Sequence, residues 1–396
     1  MALAITVIAF AFADTVTSLM PRGPAGEYPK FSIYFRMFFE VTVLCWLFFY
    51  KKMNKNNLLI IAIISILFLT YFFGFCIFSN NVGGLSLYDF IYLFNKYVFV
   101  FICFLFVYSS MKKMGYSYRK KIFKIYELVI YVYCFCTLVL GFILKMPAFF
   151  TYEHARFGFI GTIPAQNEAS LFIIIALFYG CFVYRQEKRL LPLVAAFISG
   201  ILLGTKAAFI TSIAIPIWFL LKFYPKTGRI VTITALACLT IIAIIYSSQI
   251  VEYLYVLEAL SHFTHGLDKG VGVLSVLLSG RDVFWDDFIW NLSLYGNINF
   301  LFGGGRLTAM EMDFFDTFLE FGLFGLIIYL IAYFVMFKNI TSKYRFFFSL
   351  LFFSAAFIGG HIFLSAVNAL YICLFVCKAS EVDEYVPKRR NDAIFA

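Results

Sequence analysis

Charged residues are scarce in this chain. They make up only 14% of the 396 residues, whereas 63% of the residues are hydrophobic and 21% are aromatic. A soluble domain of this length needs far more polar surface to cover its core. The composition therefore excludes a soluble globular protein and predicts an all-α fold, a polytopic integral membrane helix bundle.

Sequence motifs for common cofactors and metals are also missing. The chain contains no zinc-ligand spacing, P-loop, Rossmann glycine pattern, GxSxG elbow or supported DxD-like site. Its nine cysteines lie in apolar runs, so we expect small buried residues rather than disulfides or metal ligands. These absences predict an activity without a cofactor, a metal or nucleotide-dependent chemistry.

Apolar runs predict the membrane spans. A helix needs about 20 apolar residues to cross a bilayer. The seventh and eighth spans share one long run, and we expect a hairpin at Gly204-Thr205-Lys206. The twelve predicted spans are residues 2–20, 31–50, 57–78, 87–110, 122–144, 166–184, 190–204, 206–222, 229–248, 313–337, 345–360 and 362–378.

Lysine and arginine cluster in alternate loops, which predicts the orientation of the spans. Cytoplasmic loops carry the excess of Lys and Arg in membrane proteins. The net charge of +10 is explained by this rule, so no nucleic-acid partner is expected. Both termini, including the tail 379–396, are predicted inside, and the long loop 248–312 outside. Ala11-Phe12-Ala13 also resembles a signal-peptidase site, although no basic segment precedes it.

Acidic residues lie at the start of the tenth predicted span. Asp313, Asp316 and Glu320 have helical i, i+3 and i+7 spacing and should share one face. Carboxylates in or beside a membrane are costly unless they face a bundle interior or a wet cavity. The stretch is therefore a candidate site, and the alternative is a solvated helix entrance with acids near its N-terminus.

Basic residues on the predicted outer side form a second candidate feature. Arg156, Arg281, Arg306 and Lys206 lie there against the usual distribution. Guanidinium groups bind phosphate oxygens with two parallel hydrogen bonds, so a lipid phosphate or pyrophosphate is the expected ligand. The alternative is that each residue reaches a lipid headgroup or pairs with a nearby acid.

Further charges are predicted within the spans. Arg36 and Glu40 stand four residues apart in the second span and are expected to pair with each other. Lys96 and Glu127 lie in the fourth and fifth spans. Such residues either line a transport path or form structural pairs, and the sequence alone leaves both alternatives open.

Several of these residues together resemble the O-antigen polymerase and O-antigen ligase superfamily. The resemblance covers about half of the chain, from Arg156 to Gly325. The residues that carry it, in chain order, are Arg156-Phe157-Gly158 through Pro164 and Asn167, Gly204-Thr205-Lys206, Ser279-Gly280-Arg281 with Trp285, Glu311-Met312-Asp313 with Asp316, and Glu320-Phe321-Gly322 with Gly325.

The resemblance implies a metal-independent, inverting glycosyltransferase in the inner membrane of a bacterium, with its active site facing the periplasm. Donor and acceptor would be undecaprenyl-pyrophosphate-linked oligosaccharides, and a chain-length regulator protein would be a partner. Asn167, Trp285, Glu320 and His361 are the expected substrate-binding residues. Arg156, Arg281, Arg306 and Lys206 would hold the pyrophosphate.

The resemblance favours the polymerase branch. Ligases of the superfamily carry a histidine about eleven residues before the glycine that matches Gly322, and this chain has Glu311 there. We predict Asp313 as the base, with Glu311 next, and Asp316 as a residue that orients Arg281 or Arg306. Alternatives are a ligase that transfers the glycan to lipid A-core, and a secondary transporter or lipid-glycan flippase.

Overall fold

The computed structural model describes residues 2–20, 31–49, 55–82, 86–151, 157–163, 165–223, 230, 234, 281–305 and 310–381. Within these ranges the regular structure is helical, apart from one isolated bridge between Phe150 and Phe159. The described α-helices are α1 Ala2–Leu19, α2 Phe31–Phe49, α3 Lys55–Val82, α4 Leu87–Lys113, α5 Tyr116–Phe135, α6 Gln166–Glu187, α7 Leu191–Leu202, α8 Lys206–Phe223, α9 Trp285–Ser293, α10 Asn297–Phe302, α11 Asp313–Phe337, α12 Ser342–Ile358 and α13 Ala366–Ser380.

Seven of the described helical segments are long and apolar enough to cross a membrane. This number of apolar segments indicates a multi-pass membrane protein and agrees with the predicted helix bundle. The seven segments are Ala2–Leu19, Asn57–Phe78, Leu87–Lys113, Tyr116–Ile143, Gln166–Glu187, Lys206–Phe223 and Asp313–Phe337.

Each predicted span that the structure describes overlaps a helix, although the ends differ at several spans. The ninth, 229–248, lies almost entirely outside the described residues, so the count of twelve stays a prediction. The hairpin at Gly204-Thr205-Lys206 is confirmed, since α7 ends at Leu202 and α8 begins at Lys206. The last predicted span is wrong at its start, because residues 362–365 are buried but not helical.

The centre of the bundle is formed by α6 and α13. Every residue from Ala169 to Val183 in α6 is buried, as is every residue from Val367 to Ala379 in α13. A helix that is apolar on all sides belongs in the interior. The N-terminal ends of the two helices meet where Asn368 Nδ2 donates to the backbone oxygen of Glu168 at 2.7 Å.

One end of the bundle carries many of the basic residues of the predicted inner loops. Arg189 donates two hydrogen bonds of 2.8 Å to the Glu127 carboxylate, and Arg119 pairs with Glu381 at 3.0 Å. Arg345 binds the backbone oxygens of Lys338 and Ile340 at the end of α11. We call this the basic end. Glu127 therefore belongs to a structural ion pair.

A buried ion pair joins α1 to α2 and corrects one prediction. Arg36 Nη2 lies 2.6 Å from Asp14 Oδ1, and both side chains are buried. Arg36 Nε also donates to the Ala366 backbone oxygen, at 3.2 Å. The expected pair of Arg36 with Glu40 is wrong, because the packing of α1 against α2 offers the nearer carboxylate of Asp14, whereas Glu40 is hydrogen-bonded to Asn95.

Candidate functional site

Asp313 anchors the segment that joins α12 to α13. Its Oδ1 accepts the His361 N–H at 2.7 Å, and its Oδ2 accepts the N–H groups of Ile362 and Phe363 at 2.6 and 2.8 Å. These backbone groups belong to a partly buried, non-helical segment, and non-helical backbone needs protein partners at membrane depth. The Asp313 carboxylate supplies them, which explains why it is only 1% exposed.

Asp316 fixes the residues that lead into α11. Its Oδ1 accepts the Met310 N–H at 2.8 Å, and its side chain is buried. Between Met310 and Asp313, the backbone of Glu311 takes a left-handed conformation with φ 55°. The backbone of Glu311 also packs closely on Gly360, where an added Cβ would lie 2.5 Å from the Glu311 oxygen. Two buried carboxylates and this contact therefore fix the Glu311 backbone.

Glu311 is the exposed carboxylate of the site and lies beside the largely buried Arg281. The Glu311 side chain is 48% exposed, and its Oε2 lies 3.8 Å from Arg281 Nε. Arg281 Nη1 donates to the backbone oxygen of Ile358, at 3.2 Å, which fixes the guanidinium beside the end of α12. At 3.8 Å the two charges attract each other without the short hydrogen bonds of a closed fork. The geometry therefore leaves the Glu311 carboxylate exposed, whereas the Arg281 side chain is only 13% exposed.

His361 and Trp285 lie beside this pair. His361 is exposed, has φ 69°, and is held through its backbone N–H by Asp313. Trp285 is 48% exposed, with its ring centroid 5.7 Å from that of Phe315 in α11. Phe315 in turn packs on Phe357, the residue before Ile358. The structure thus brings Arg281, Trp285, Glu311, Asp313 and His361 together at one end of the bundle, which we call the site end.

Glu320 lies deeper in α11. It is fully buried, and its Oε2 accepts the Tyr71 hydroxyl of α3 at 2.6 Å. Asp313, Asp316 and Glu320 are all buried, as expected of acids facing a bundle interior, so the solvated-entrance alternative is wrong. Each binds a different segment, however, and this position of Glu320 favours a role in packing α11 on α3.

Next to Glu320, the glycine-rich turn after α10 packs closely against α11. We call this contact the glycine crossing. Gly322 has φ 67° and ψ −175° and interrupts the helical backbone of α11. The backbone of Gly303 fits against it, since a Cβ at Gly303 would lie 2.2 Å from the Glu320 oxygen. Gly304 donates its N–H to that same oxygen at 3.1 Å. The turn after α10 is therefore locked onto the kink of α11.

The sequence did not indicate two polar residues that lie in this crossing. Asn299 is buried, and its Nδ2 donates to the backbone oxygens of Gly74 and Gly303 at 3.0 and 2.7 Å. The Tyr295 hydroxyl contacts the backbone oxygens of Gly305 and Leu319. Neither residue forms a motif. The available signal was the run of three glycines at 303–305, which indicates a close approach of backbone.

Lys206 is the first residue of α8 and Asn167 is the second residue of α6, and both are half-buried. The adjoining Thr205 Oγ1 lies 2.7 Å from Ser170 Oγ, which joins the two helices. Gly204, with φ 75°, packs against Phe157 and Gly158, where its Cβ would lie 2.2 Å from the Phe157 oxygen. Phe157-Gly158 and Gly204-Thr205 belong to two motifs that are far apart in sequence, and they are therefore in contact here.

The remaining predicted cations are not described. Arg156 and Arg306 lie outside the described residues, although their neighbours Phe157 and Gly305 lie within them. The long loop predicted at 248–312 is described for residues 281–305 and 310–312 only. The roles of Arg156 and Arg306 in binding pyrophosphate stay predictions.

Asp313→Asn should lower the thermal stability of the protein. The Asn side chain has one acceptor oxygen for three N–H groups, so at least one buried N–H would face an NH₂ donor. A buried donor left unsatisfied costs about 1–3 kcal/mol. We expect a clearly lower unfolding temperature in detergent, with Asp286→Asn on the exposed face of α9 unchanged.

Unchanged stability together with lost activity in Asp313→Asn would instead favour the base role that the sequence predicts for Asp313. The three backbone hydrogen bonds favour the anchoring role. The base role of Asp313 stays a prediction, and of the two predicted candidates Glu311 has the exposed carboxylate.

Comparisons with protein-family models, with curated proteins and with solved structures gave no match to this chain. The superfamily resemblance therefore rests on the motifs and their order along the sequence.

Proposed function

We propose that the chain is a surface-polysaccharide polymerase that joins lipid-pyrophosphate-linked oligosaccharide repeats. The observation that carries the proposal is the exposed Glu311 carboxylate beside the Arg281 guanidinium, with the backbone on either side of Glu311 held by the buried carboxylates of Asp313 and Asp316. A fixed cation beside an accessible carboxylate suits a reaction in which a hydroxyl loses a proton and a pyrophosphate leaves.

In the proposed reaction, the Glu311 carboxylate takes the proton of an acceptor sugar hydroxyl. The oxygen attacks the anomeric carbon at the reducing end of the donor glycan, and the bond from that carbon to the pyrophosphate breaks. The new glycosidic bond forms with inversion, and the electron pair leaves with the pyrophosphate. Arg281 stabilises that leaving group electrostatically, with Arg156, Arg306 and Lys206 as further predicted cations.

The proposed orientation places the site end in the periplasm and the basic end in the cytoplasm. Single cysteines at Asn297 and Ser342 test it in a background without the native cysteines, because both positions are exposed. We expect an impermeant thiol reagent to label the cysteine at 297 in intact cells, and the one at 342 only after lysis. Reversed labelling would overturn the orientation.

Arg281→Lys tests the role of the guanidinium. Lysine keeps the charge but loses the two-pronged geometry, and a hydrogen bond to a charged group contributes about 1.5–3 kcal/mol. Chain extension should therefore fall by about tenfold to a hundredfold. Arg119→Lys at the basic end is the matched control and should extend chains normally. Equal rates in the two variants would remove Arg281 from the mechanism.

Deletion of the gene distinguishes the proposed polymerase from the ligase and from the transporter or flippase. Loss of a polymerase leaves a single repeat on lipid A-core, whereas loss of a ligase leaves bare core. Loss of a transporter or flippase prevents lipid-linked repeats from reaching the periplasm. A ladder reduced to one repeat is the result that our proposal predicts.

A further inference from the structure

A small pocket lies at the basic end, between α5 and the C-terminal ends of α6 and α13. Its volume is about 10 Å³, which is room for about one water molecule or one ligand oxygen. The residues that α5 contributes follow one another at helical spacing, so they share one helix face. The lining residues are Tyr116, Lys120, Phe123, Lys124 and Glu127 of α5, Glu187 of α6, and Lys378 and Glu381 at the end of α13. We call this the basic pocket.

Lys378 is the buried cation of the basic pocket. It is only 8% exposed, and its Nζ lies 4.9 Å from the centroid of the Phe123 ring. Within the described residues, Nζ makes no hydrogen bond or ion pair, and Glu127, Glu187 and Glu381 attract it from a greater distance. A buried ammonium group is costly unless an acceptor or an anion reaches it. Lys378 therefore offers its N–H donors to a ligand atom that enters the pocket.

The acids of the basic pocket are outnumbered by cations. Arg189 lies 2.8 Å from Glu127 and 2.6 Å from Glu187. Arg119 lies 3.0 Å from Glu381. The two arginines and the three lysines of the lining thus stand against three glutamates, which leaves an excess of positive charge. This excess favours an anionic ligand.

An apolar stripe of α5 continues from the rim of the pocket along the helix. Lys120 is exposed at the rim, as is Lys124, which lies 3.6 Å from Glu127. Leu128 and Val132 follow Lys124 at intervals of four residues and are also exposed. Basic pockets between membrane helices on the cytoplasmic side suit anionic lipid headgroups. A phospholipid matches both features, because its acyl chains cover the stripe, whereas a free phosphate ion leaves the stripe uncovered.

We propose that the basic pocket binds the phosphate group of an anionic phospholipid of the cytoplasmic leaflet. One phosphate oxygen enters the pocket and accepts a hydrogen bond from Lys378, and Lys120 and Lys124 contact the other oxygens at the rim. The acyl chains lie along the exposed stripe of α5. This lipid is a bound ligand at the basic end and not a substrate. The leaflet follows from the proposed orientation, whereas the site itself is independent of the polymerase reaction.

Native mass spectrometry of the purified full chain, with phosphatidylglycerol or phosphatidylcholine of the same acyl chains, tests the pocket. We expect one phosphatidylglycerol to stay bound where phosphatidylcholine is lost. Lys378→Met removes the buried ammonium and should weaken this binding by about tenfold. Lys120→Gln changes only the exposed rim and should weaken it by about fivefold. Lys343→Gln, which changes an exposed lysine of α12 at the same end, is the matched control and should bind the lipid normally.

Equal binding of the two phospholipids would overturn the inference. Unchanged binding in Lys120→Gln would overturn it too, whether or not Lys378→Met folds. Millimolar inorganic phosphate should leave the bound lipid in place, and displacement of the lipid would assign the pocket to the free anion instead. The measurement needs no glycan substrate, so a failure of the lipid site and a failure of the polymerase proposal are distinguishable.

Discussion

Glu311→Gln should strongly slow chain extension while the protein still folds. General base catalysis contributes about 10²- to 10⁴-fold to a rate, and glutamine keeps the size of the side chain but removes the basic oxygen. The Glu311 side chain is 48% exposed, and glutamine has the same shape, so we expect the fold to be kept. We expect a rate loss within that range with an unchanged unfolding temperature. Asp313→Asn, in contrast, should lower both the rate of chain extension and the unfolding temperature.

Asp286→Asn serves as the control for this experiment. Asp286 is an exposed acid in the first turn of α9, on the same end of the bundle as Glu311. It should extend chains at the unmodified rate. Normal extension by Glu311→Gln would show that the proton goes elsewhere, and Glu311 would then serve only to position Arg281.

Gly322→Ala should cause the largest loss of stability. An alanine at φ 67° and ψ −175° adopts a conformation that is essentially restricted to glycine and costs about 1–3 kcal/mol. Its Cβ would also lie 2.4 Å from the Gly303 nitrogen and the Leu301 oxygen, which are backbone atoms that cannot rotate away. The turn after α10 would separate from α11, so we expect poor accumulation in the membrane and a lower unfolding temperature.

Gly296→Ala is the matched control for Gly322→Ala. Gly296 has φ −79°, and nothing lies within 4 Å of an added Cβ. Alanine should be tolerated there with unchanged stability. If Gly322→Ala accumulates and unfolds like Gly296→Ala, the glycine crossing does not support the site end.

Hydrophobic runs were sufficient to locate most helices, because a membrane span must satisfy its backbone groups internally. The start of α13 is the instructive exception. Residues 362–365 are as apolar as a helix would be, but three N–H groups at 361–363 bind the carboxylate of Asp313 instead of helical carbonyls. A long-range partner of this kind leaves no mark in the local sequence.

The burial of the three acids was predictable from the sequence, but the groups that they bind were not. The spacing of Asp313, Asp316 and Glu320 correctly placed all three in the bundle interior. It could not show that Asp313 binds a loop 48 to 50 residues away and that Glu320 binds Tyr71. The pairing of Arg36 with Asp14 was missed for the same reason, since helix packing decides between possible partners.

The purified full chain, reconstituted in liposomes with a synthetic lipid-pyrophosphate-linked repeat, tests the proposed polymerase activity most directly. The proposal predicts a ladder of glycans that grow by one repeat at a time, release of lipid pyrophosphate, and both products at least about a hundredfold more slowly with Glu311→Gln. A preparation of folded protein that leaves the repeat unextended, or that only moves it across the bilayer, would contradict it.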